Sequence, residues 1–366
     1  MRILIATEFF PLEKITGGVE ARAYYIRKEL QRRHDVSVLT SRQPGASVQK
    51  DVIRIGPEFP YTSTGHLVKR VMFSVKLTLR MPWLIRKMRP DVIDCQSFFA
   101  YPAGLMARLL GKKVFFTYHE VWLGGWSRNT KSWLGFIGEI MERLILFKAA
   151  LLGIRFISVS GFTASKLERA GIRRDRITVV HNGIDPNELT GTLKRDGHVL
   201  YAGRLVEHKR VQDLIAAAAR LPGLRVDIAG DGPEKTKLME LAARLGVDDR
   251  VRFLGYIGRD DLVRRMKKAM ILCHPGTVEG FGITLVESMA CGTPYVCSDI
   301  PVFLEVTEKG KGGLIFRRMD PGDLASKIRR LMSDEKLYRT KKAEARELSK
   351  RYSWESIALR VEEAYR

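Results

Sequence analysis

Glu279 and Glu287 stand eight positions apart in the stretch 276–287, Gly-Thr-Val-Glu-Gly-Phe-Gly-Ile-Thr-Leu-Val-Glu. An apolar run at 269–273, ending in His274-Pro275, precedes it and reads as a buried parallel strand. The pattern at 283–290 predicts a helix. Gly280 and Gly282 leave the backbone free to come close to a ligand. The unpaired N–H groups and positive dipole end of a helix start suit phosphate. One carboxylate lies before that helix and one inside it, so the two can face different parts of one ligand. Such a site suits a molecule carrying both phosphate and hydroxyls. The alternative is a loop with two solvated glutamates and turn glycines. Arg204 and Lys209 follow another strand, 198–202, and come just before a helix. Two fixed cations there can hold a diphosphate and stabilise the charge that builds on it as it leaves. Their alternative is a surface pair in a chain rich in Lys and Arg.

The elements that must position these groups alternate along 366 residues, enough for two domains with large cores. Hydrophobic residues make up 45%, and no apolar stretch has the length of a membrane span. The start, Met1-Arg2 then Ile3 to Ala6, is interrupted by Glu8 and reads as a core strand, not a secretion signal. Cys95, Cys273, Cys291 and Cys297 form no Cys-x-x-Cys pair, so reduced thiols in a cytoplasmic protein are expected. The formal net charge of +22 favours anionic partners: nucleic acid, an acidic membrane or phosphorylated substrates.

Strands are expected at 2–7, 35–40, 91–96, 113–118, 155–160 and 176–181, and a second series at 198–202, 224–229, 250–254, 269–273, 294–298 and 313–316. Residues 9–16 read as a loop, and Gly17-Gly18 opens a helix at 19–33. This start lacks a spaced Gly-x-Gly-x-x-Gly, so a plain dinucleotide fold is poorly supported. His119 and Ser160 end strands, where open α/β sheets bind ligands. Residues 121–132, with Trp122 and Trp126, follow His119. Asn182-Gly183 is a turn signal. Polar, aperiodic residues 185–197, including Thr192, read as an interdomain linker. Gly203 and Gly230 follow strands of the second series, and 320–366 is helical. The plan is α/β: two open, doubly wound domains facing a central cleft.

Two stretches stand apart. Residues 66–90 carry seven cations and no acid among apolar residues, a basic amphipathic helix with a break expected near Pro82. Such a helix suits an anionic lipid surface or packs on the core with its cations solvated. Residues 133–152 are strongly apolar and read as a buried helix, with membrane contact as the other reading.

Taken in order, these motifs resemble a known family. Gly17-Gly18, His119, Ser160, His181-Asn182-Gly183-Ile184-Asp185, Gly203-Arg204-x4-Lys209, Gly230-Asp231-Gly232-Pro233-Glu234 and Glu279-x7-Glu287 follow the sequence of motifs in retaining glycosyltransferases of the GT-B fold, family 4. The resemblance covers nearly the whole chain. It implies a Rossmann-like acceptor domain at 1–185, a nucleotide-sugar domain at 198–349, and a C-terminal helix at 350–366 crossing back. Arg204 and Lys209 would then grip the donor diphosphate. Glu279, Gly280, Phe281, Gly282 and Ile283 would contact the donor sugar and distal phosphate, and Glu287 the ribose. Gly18, Gly203 and Gly230 belong to the donor side, Gly17, Ser160 and Asn182 to the acceptor side. His119 would sit near the transferred sugar. The co-substrate implied is a nucleotide diphosphate sugar, UDP- or GDP-linked, with no further cofactor and no metal. The net charge and the basic helix at 66–90 point to a glycan acceptor, lipid-linked or anionic, reached at the inner face of a membrane by a cytoplasmic, peripheral enzyme. Arg210 stands where the family commonly has glycine, and Gly276 where it often has serine.

Other classes fit less well. A retaining glycosidase needs two carboxyls about 5–5.5 Å apart across the bond, and would leave the Arg/Lys pair without a task. No recognition helix, zinc module or aromatic RNA module accompanies the charge, so nucleic acid is not expected as a partner. No Ser-His-Asp set or Walker lysine loop is visible. A nucleotide-sugar epimerase of the same fold stays open, as does a basic, non-catalytic surface-binding protein.

Overall fold

The computed structural model describes residues 1–11, 17–46, 48–60, 66–126, 133–191 and 193–366. Parts of the expected 9–16 loop, of the tryptophan stretch 121–132, and Thr192 lie outside the described residues. The chain divides into two compact units, Met1–Asn182 with Trp354–Arg366, and Gly183–Ser353.

The first unit runs β1 (Arg2–Ala6), α1 (Gly18–Leu30), β2 (Asp35–Arg42), β3 (Val52–Glu58), α2 (Leu67–Met88), β4 (Val92–Cys95), α3 (Tyr101–Leu109), β5 (Lys113–Tyr118), α4 (Trp133–Leu151), β6 (Arg155–Ser158), α5 (Gly161–Arg169) and β7 (Ile177–Val179). Its sheet is parallel, in the order β3-β2-β1-β4-β5-β6-β7. Runs such as Ile3-Leu4-Ile5 and Val114-Phe115-Phe116 are buried, as strands covered on both faces must be. The order reverses between β1 and β4. Right-handed crossovers therefore put α1 on one face and α2, α3, α4 and α5 on the other. Phe73, Leu77, Met81 and Leu84 of α2, with Ala103 of α3 and Leu146 of α4, share one core cluster with Leu4, Ile93 and Phe116 of the sheet.

The second unit runs α6 (Pro186–Leu189), β8 (Val199–Ala202), α7 (Val211–Ala219), β9 (Val226–Ala229), α8 (Lys235–Arg244), β10 (Val251–Gly255), α9 (Arg259–Lys268), β11 (Ile271–His274), α10 (Ile283–Ala290), β12 (Tyr295–Ser298), α11 (Pro301–Val306), β13 (Gly313–Phe316), α12 (Pro321–Ser333) and α13 (Glu335–Ser349). Its parallel sheet has the order β10-β9-β8-β11-β12-β13, reversing between β8 and β11. The last helix, α14 (Trp354–Tyr365), belongs to the first unit and packs on α1. Trp354 stacks on Tyr25 at 5.3 Å, and the Tyr365 hydroxyl donates to buried Asp94 at 2.7 Å.

Four expectations from sequence need correction. Strand β3 was not foreseen: Gly56 and Pro57 weaken its strand pattern, and it sits at the sheet edge, where both are tolerated. Helix α2 runs through Pro82 without a break. A mid-helix proline costs about 3 kcal/mol, and burial of Met81 and Leu84 on either side offsets it. Residues 185–197 are not a bare linker. Asp185 caps α6 by accepting from the Asn187 N–H at 3.0 Å, Leu189 is buried, and Arg195 donates to Thr293 Oγ1 at 2.8 Å. Helix α4 is buried on one side only; Phe147 is 67% and Leu151 76% exposed.

Candidate active site

In the second unit, Arg204 and Lys209 follow β8 and Glu279 follows β11, the two strands that flank the reversal of sheet order. Open α/β sheets bind ligands at this switch point, outside the carboxyl ends of the strands. Gly203 to Leu205 are fixed by backbone bonds: the Gly203 N–H to the Ala229 carbonyl at 3.0 Å, and the Leu205 N–H to that of Asp231 at 2.9 Å. Buried Tyr201 donates its hydroxyl to the Arg204 carbonyl at 2.9 Å. Gly230 adopts φ +146°, and a Cβ on it would stand 1.9 Å from the Gly203 oxygen. Its missing side chain is what lets the two strand-end loops lie against each other. The Arg204 side chain is exposed, and its guanidinium has no partner among the described residues.

Lys209 closes a 3-10 turn, Glu207–Lys209, and its Nζ donates to Glu279 Oε2. The loop carrying Glu279 is tied to that turn, because the Thr277 N–H donates to the His208 carbonyl at 2.9 Å. His274 Nε2 lies 3.4 Å from the same Glu279 oxygen. Burial pushes the Glu279 carboxyl up, but the Lys209 charge and the His274 hydrogen bond outweigh it and hold it below the usual range. Burial, with the Lys209 charge, lowers His274, and burial with Lys209 and Arg204 lowers His208 to about 4. Both imidazoles are therefore neutral at pH 7. Arg210, next in the chain, sits at φ +55°, in the left-handed region that favours glycine. Its guanidinium pairs with Asp213 at 2.7 and 3.0 Å and helps hold that conformation.

Gly282 is the residue before α10, at φ +87°, and a Cβ there would meet the Phe303 ring at 2.8 Å. Ile283 opens the helix, and the Gly280 N–H points back to Glu279 Oε1 at 3.3 Å. Phe281 is buried edge-on against Tyr352 at 5.7 Å, so its ring anchors the loop. Glu287 is buried and engaged by Arg259, which also holds Glu188 at 3.2 Å. Burial raises the Glu287 carboxyl, and Arg259 partly opposes the rise.

The remaining residues lie in the first unit. Gly17 precedes α1 in extended backbone and Gly18 opens it; a Cβ on Gly18 would meet open space. His119 follows β5. Burial first, then nearby Arg22, depress its imidazole to about 3, and Nε2 has no partner among the described residues. Arg22 itself is buried and donates to the carbonyls of Val180 and His181 and to Asn182 Oδ1 at 3.0 Å. Ser160 caps α5: its Oγ accepts from the Thr163 N–H at 3.0 Å. Sequence reasoning passed over Arg22, His208, Arg259 and His274. Only His274, at a strand end, carried a visible signal.

Two open parallel sheets, each wound by helices on both faces and each reversing order once, define the GT-B fold. Sucrose-phosphate synthase from Thermosynechococcus elongatus superposes with a TM-score of 0.82 at 22% identity, over 99% of this chain and 98% of that one. Anabaena HepE in complex with UDP and glucose gives 0.77 at 22%, over 99% and 98%. Residues 190–348 match the glycosyl transferases group 1 model, and residues 16–188 match glycosyltransferase family 4. The chain belongs to the group 1 glycosyltransferases. Glycogen synthase of Mycobacterium tuberculosis is 26% identical over 402 residues, all of this chain and 94% of that protein.

Proposed function

We propose that this glycosyltransferase moves a hexose from a nucleotide diphosphate sugar to a hydroxyl of a glycan acceptor, with retention of anomeric configuration and without a metal. The observation that carries the proposal is the group at the β8/β11 switch point: the Arg204 guanidinium, without a partner among the described residues, and Lys209, held by Glu279. The solved complexes of HepE with UDP and glucose and with UDP-glucose support a nucleotide sugar as donor.

In this reading the acceptor oxygen bonds to the anomeric carbon as the carbon–oxygen bond to the diphosphate breaks. The electron pair leaves with the diphosphate. Retention in one step needs attack on the face the leaving group departs from, so the hydroxyl proton passes to the departing phosphate oxygen. Arg204 and Lys209 offset the charge that develops there, the task a divalent ion would otherwise perform. Glu279 sets the position of Lys209 and faces the sugar. Glu287 accepts from the ribose, on a carboxyl oriented by Arg259. Neutral His119 offers Nε2 to a sugar hydroxyl. The net charge of +22 favours an anionic acceptor, such as a lipid-linked phosphate sugar.

The test is a panel of UDP- and GDP-sugars screened by thermal shift, followed by NMR of the product's anomeric proton. The expected product keeps the donor's configuration, and EDTA leaves turnover unchanged. An inverted product, or an inhibition by EDTA that Mg²⁺ reverses, overturns the corresponding part. A donor sugar altered without any acceptor identifies an epimerase instead.

A further inference from the structure

Helices α2 and α4 pack on either side of α3, over the same face of the first unit's sheet. Each buries one side and presents an apolar stripe to solvent. On α2 the stripe is Val68, Met72, Val75, Leu79 and Trp83; on α4 it is Ile137, Ile140, Leu144, Phe147 and Leu151. Every step along both stripes is three or four residues, so each is a continuous ridge. Leu79 is 73% and Phe147 67% exposed, which sets them apart from core residues at a helix margin. Soluble monomers rarely leave apolar surface of this extent bare.

The charge beside the α2 stripe is of one sign. Lys69, Lys76, Arg80 and Lys87 are exposed in a row beside the α2 stripe, and α2 contains no acid. Lys87 lies over the Trp83 ring at 4.9 Å. Lys148 and Arg143 are exposed on α4. Of the two acids of α4, Glu139 pairs with Arg143 and accepts from the Gly124 N–H, and Glu142 accepts from Trp126 beneath the surface, which leaves Lys148 as the cation of α4 without a partner among the described residues. A two-fold contact of this face with itself would bring the α2 cation rows together without acids to pair them. No described helix is long and apolar enough to cross a membrane, and α4 is interrupted by its four charges.

We propose that the outer face of α2 and α4 docks on an anionic lipid bilayer. The apolar stripes lie at the boundary of headgroups and acyl chains, and the flanking cations meet lipid phosphates. An acidic bilayer supplies both complements at once. The surface belongs to the first unit alone and does not rest on the transfer reaction.

Co-sedimentation with vesicles tests it and needs neither donor nor acceptor, so its failure leaves the transferase reading intact. Vesicles of equimolar phosphatidylcholine and phosphatidylglycerol should bind the protein at least about tenfold better than phosphatidylcholine alone. That advantage should shrink about tenfold between roughly 0.05 and 0.5 M NaCl. Lys76→Glu with Arg80→Glu should lower binding to acidic vesicles at least about tenfold. Leu144→Asp with Phe147→Asp should do the same at low salt by removing the apolar contact. Both pairs are exposed, so melting curves like the parent's are expected, and the charge pair tests the proposal if the apolar pair folds poorly. Three results would overturn it. One is no binding to acidic vesicles at low salt. Another is full binding by the Leu144/Phe147 variant, which would make the adsorption purely electrostatic. The third is a parent dimer that the same variant turns into a monomer, which would assign the face to a second copy.

Discussion

Replacing Lys209 with Met keeps the length of the side chain and removes its charge, which separates two tasks. The first is structural. Lys209 and Glu279 have side chains only 12% and 20% exposed, and the carboxylate also meets His274 and the Gly280 N–H. Removing one partner of a fully buried pair costs about 3–5 kcal/mol. Partial exposure and the His274 contact bring this pair nearer to about 2 kcal/mol. In a unit of this size that is a fall of roughly 4–8 °C in melting temperature. The pH dependence has a definite sign. The Glu279 carboxyl is held below its ordinary value of 4.5, so the pair stabilises the fold above that pH and its contribution fades as pH falls. The gap between parent and variant should therefore be widest near neutrality and close in acid. The second task is catalytic: losing one electrostatic donor at a leaving group costs about 100- to 1,000-fold in turnover. Adding Glu279→Gln to Lys209→Met removes the stranded charge. The double variant should melt within about 2 °C of the parent while turnover stays down by at least about 100-fold. The assay is a thermal melt beside the release of nucleoside diphosphate from the donor. Recovery of turnover in the double variant would show that Lys209 serves only to neutralise Glu279 and that neither charge acts on the donor. Turnover within tenfold of the parent in the single variant would take Lys209 away from the leaving group.

Arg259→Ala or Glu287→Ala should raise the donor KM about 10- to 100-fold and change kcat by less than about threefold, because the ribose is held alike in ground and transition states. Equal losses in kcat and kcat/KM would contradict this. Ser160→Ala should cost about 1 kcal/mol in a denaturant melt, as a lost helix cap does, and leave transfer kinetics unchanged. A tenfold rise in acceptor KM would show its hydroxyl reaching the substrate. Burial raises the Glu142 carboxyl from 4.5 to about 7, against hydrogen bonds from Trp126 and the Trp122 N–H. Its stabilising, protonated form is complete below 4.5 and lost as pH rises through 7, so Glu142→Gln should match the parent near pH 4. It should exceed the parent by up to about 3 kcal/mol near pH 8.5. Melting curves at the two pH values check it, and a constant offset would refute it.

The parallel strands were legible because strands buried on both faces are short unbroken apolar runs, as at Val114 to Phe116. The half-exposed edge strand β3, with Arg54, Gly56 and Pro57, offers no such run. Helix α4 shows a different limit. It is apolar nearly all round, so its pattern fixes a helix but not which side the core covers. Arg204, Lys209, Glu279 and Glu287 stood out because each follows a strand or sits near a helix start, where ligands bind. Arg259 could not be found that way. It is 28 residues from Glu287, and only the tertiary fold brings the two together. Arg22 is likewise one of many arginines until the chain returns, 160 residues later, with Asn182. Arg210 was visible only as a departure from a motif; its φ of +55° explains why glycine is common there.

The placement of α14 bears on how the protein is made. The first unit is not continuous in the chain: Trp354 and Tyr365 pack on Tyr25 and Asp94, which are synthesised long before them. At about 5–20 residues per second, a ribosome spends roughly 10–35 s on the intervening second unit. Throughout that interval the nascent amino-terminal half holds an Asp94 without its tyrosine and an α1 without its covering helix. The half translated first is thus completed last, and this interval is when chaperones and proteases meet it unfinished. A nonsense mutation or a premature release just before Trp354 would spare every residue around Glu279 and damage the opposite end of the sequence.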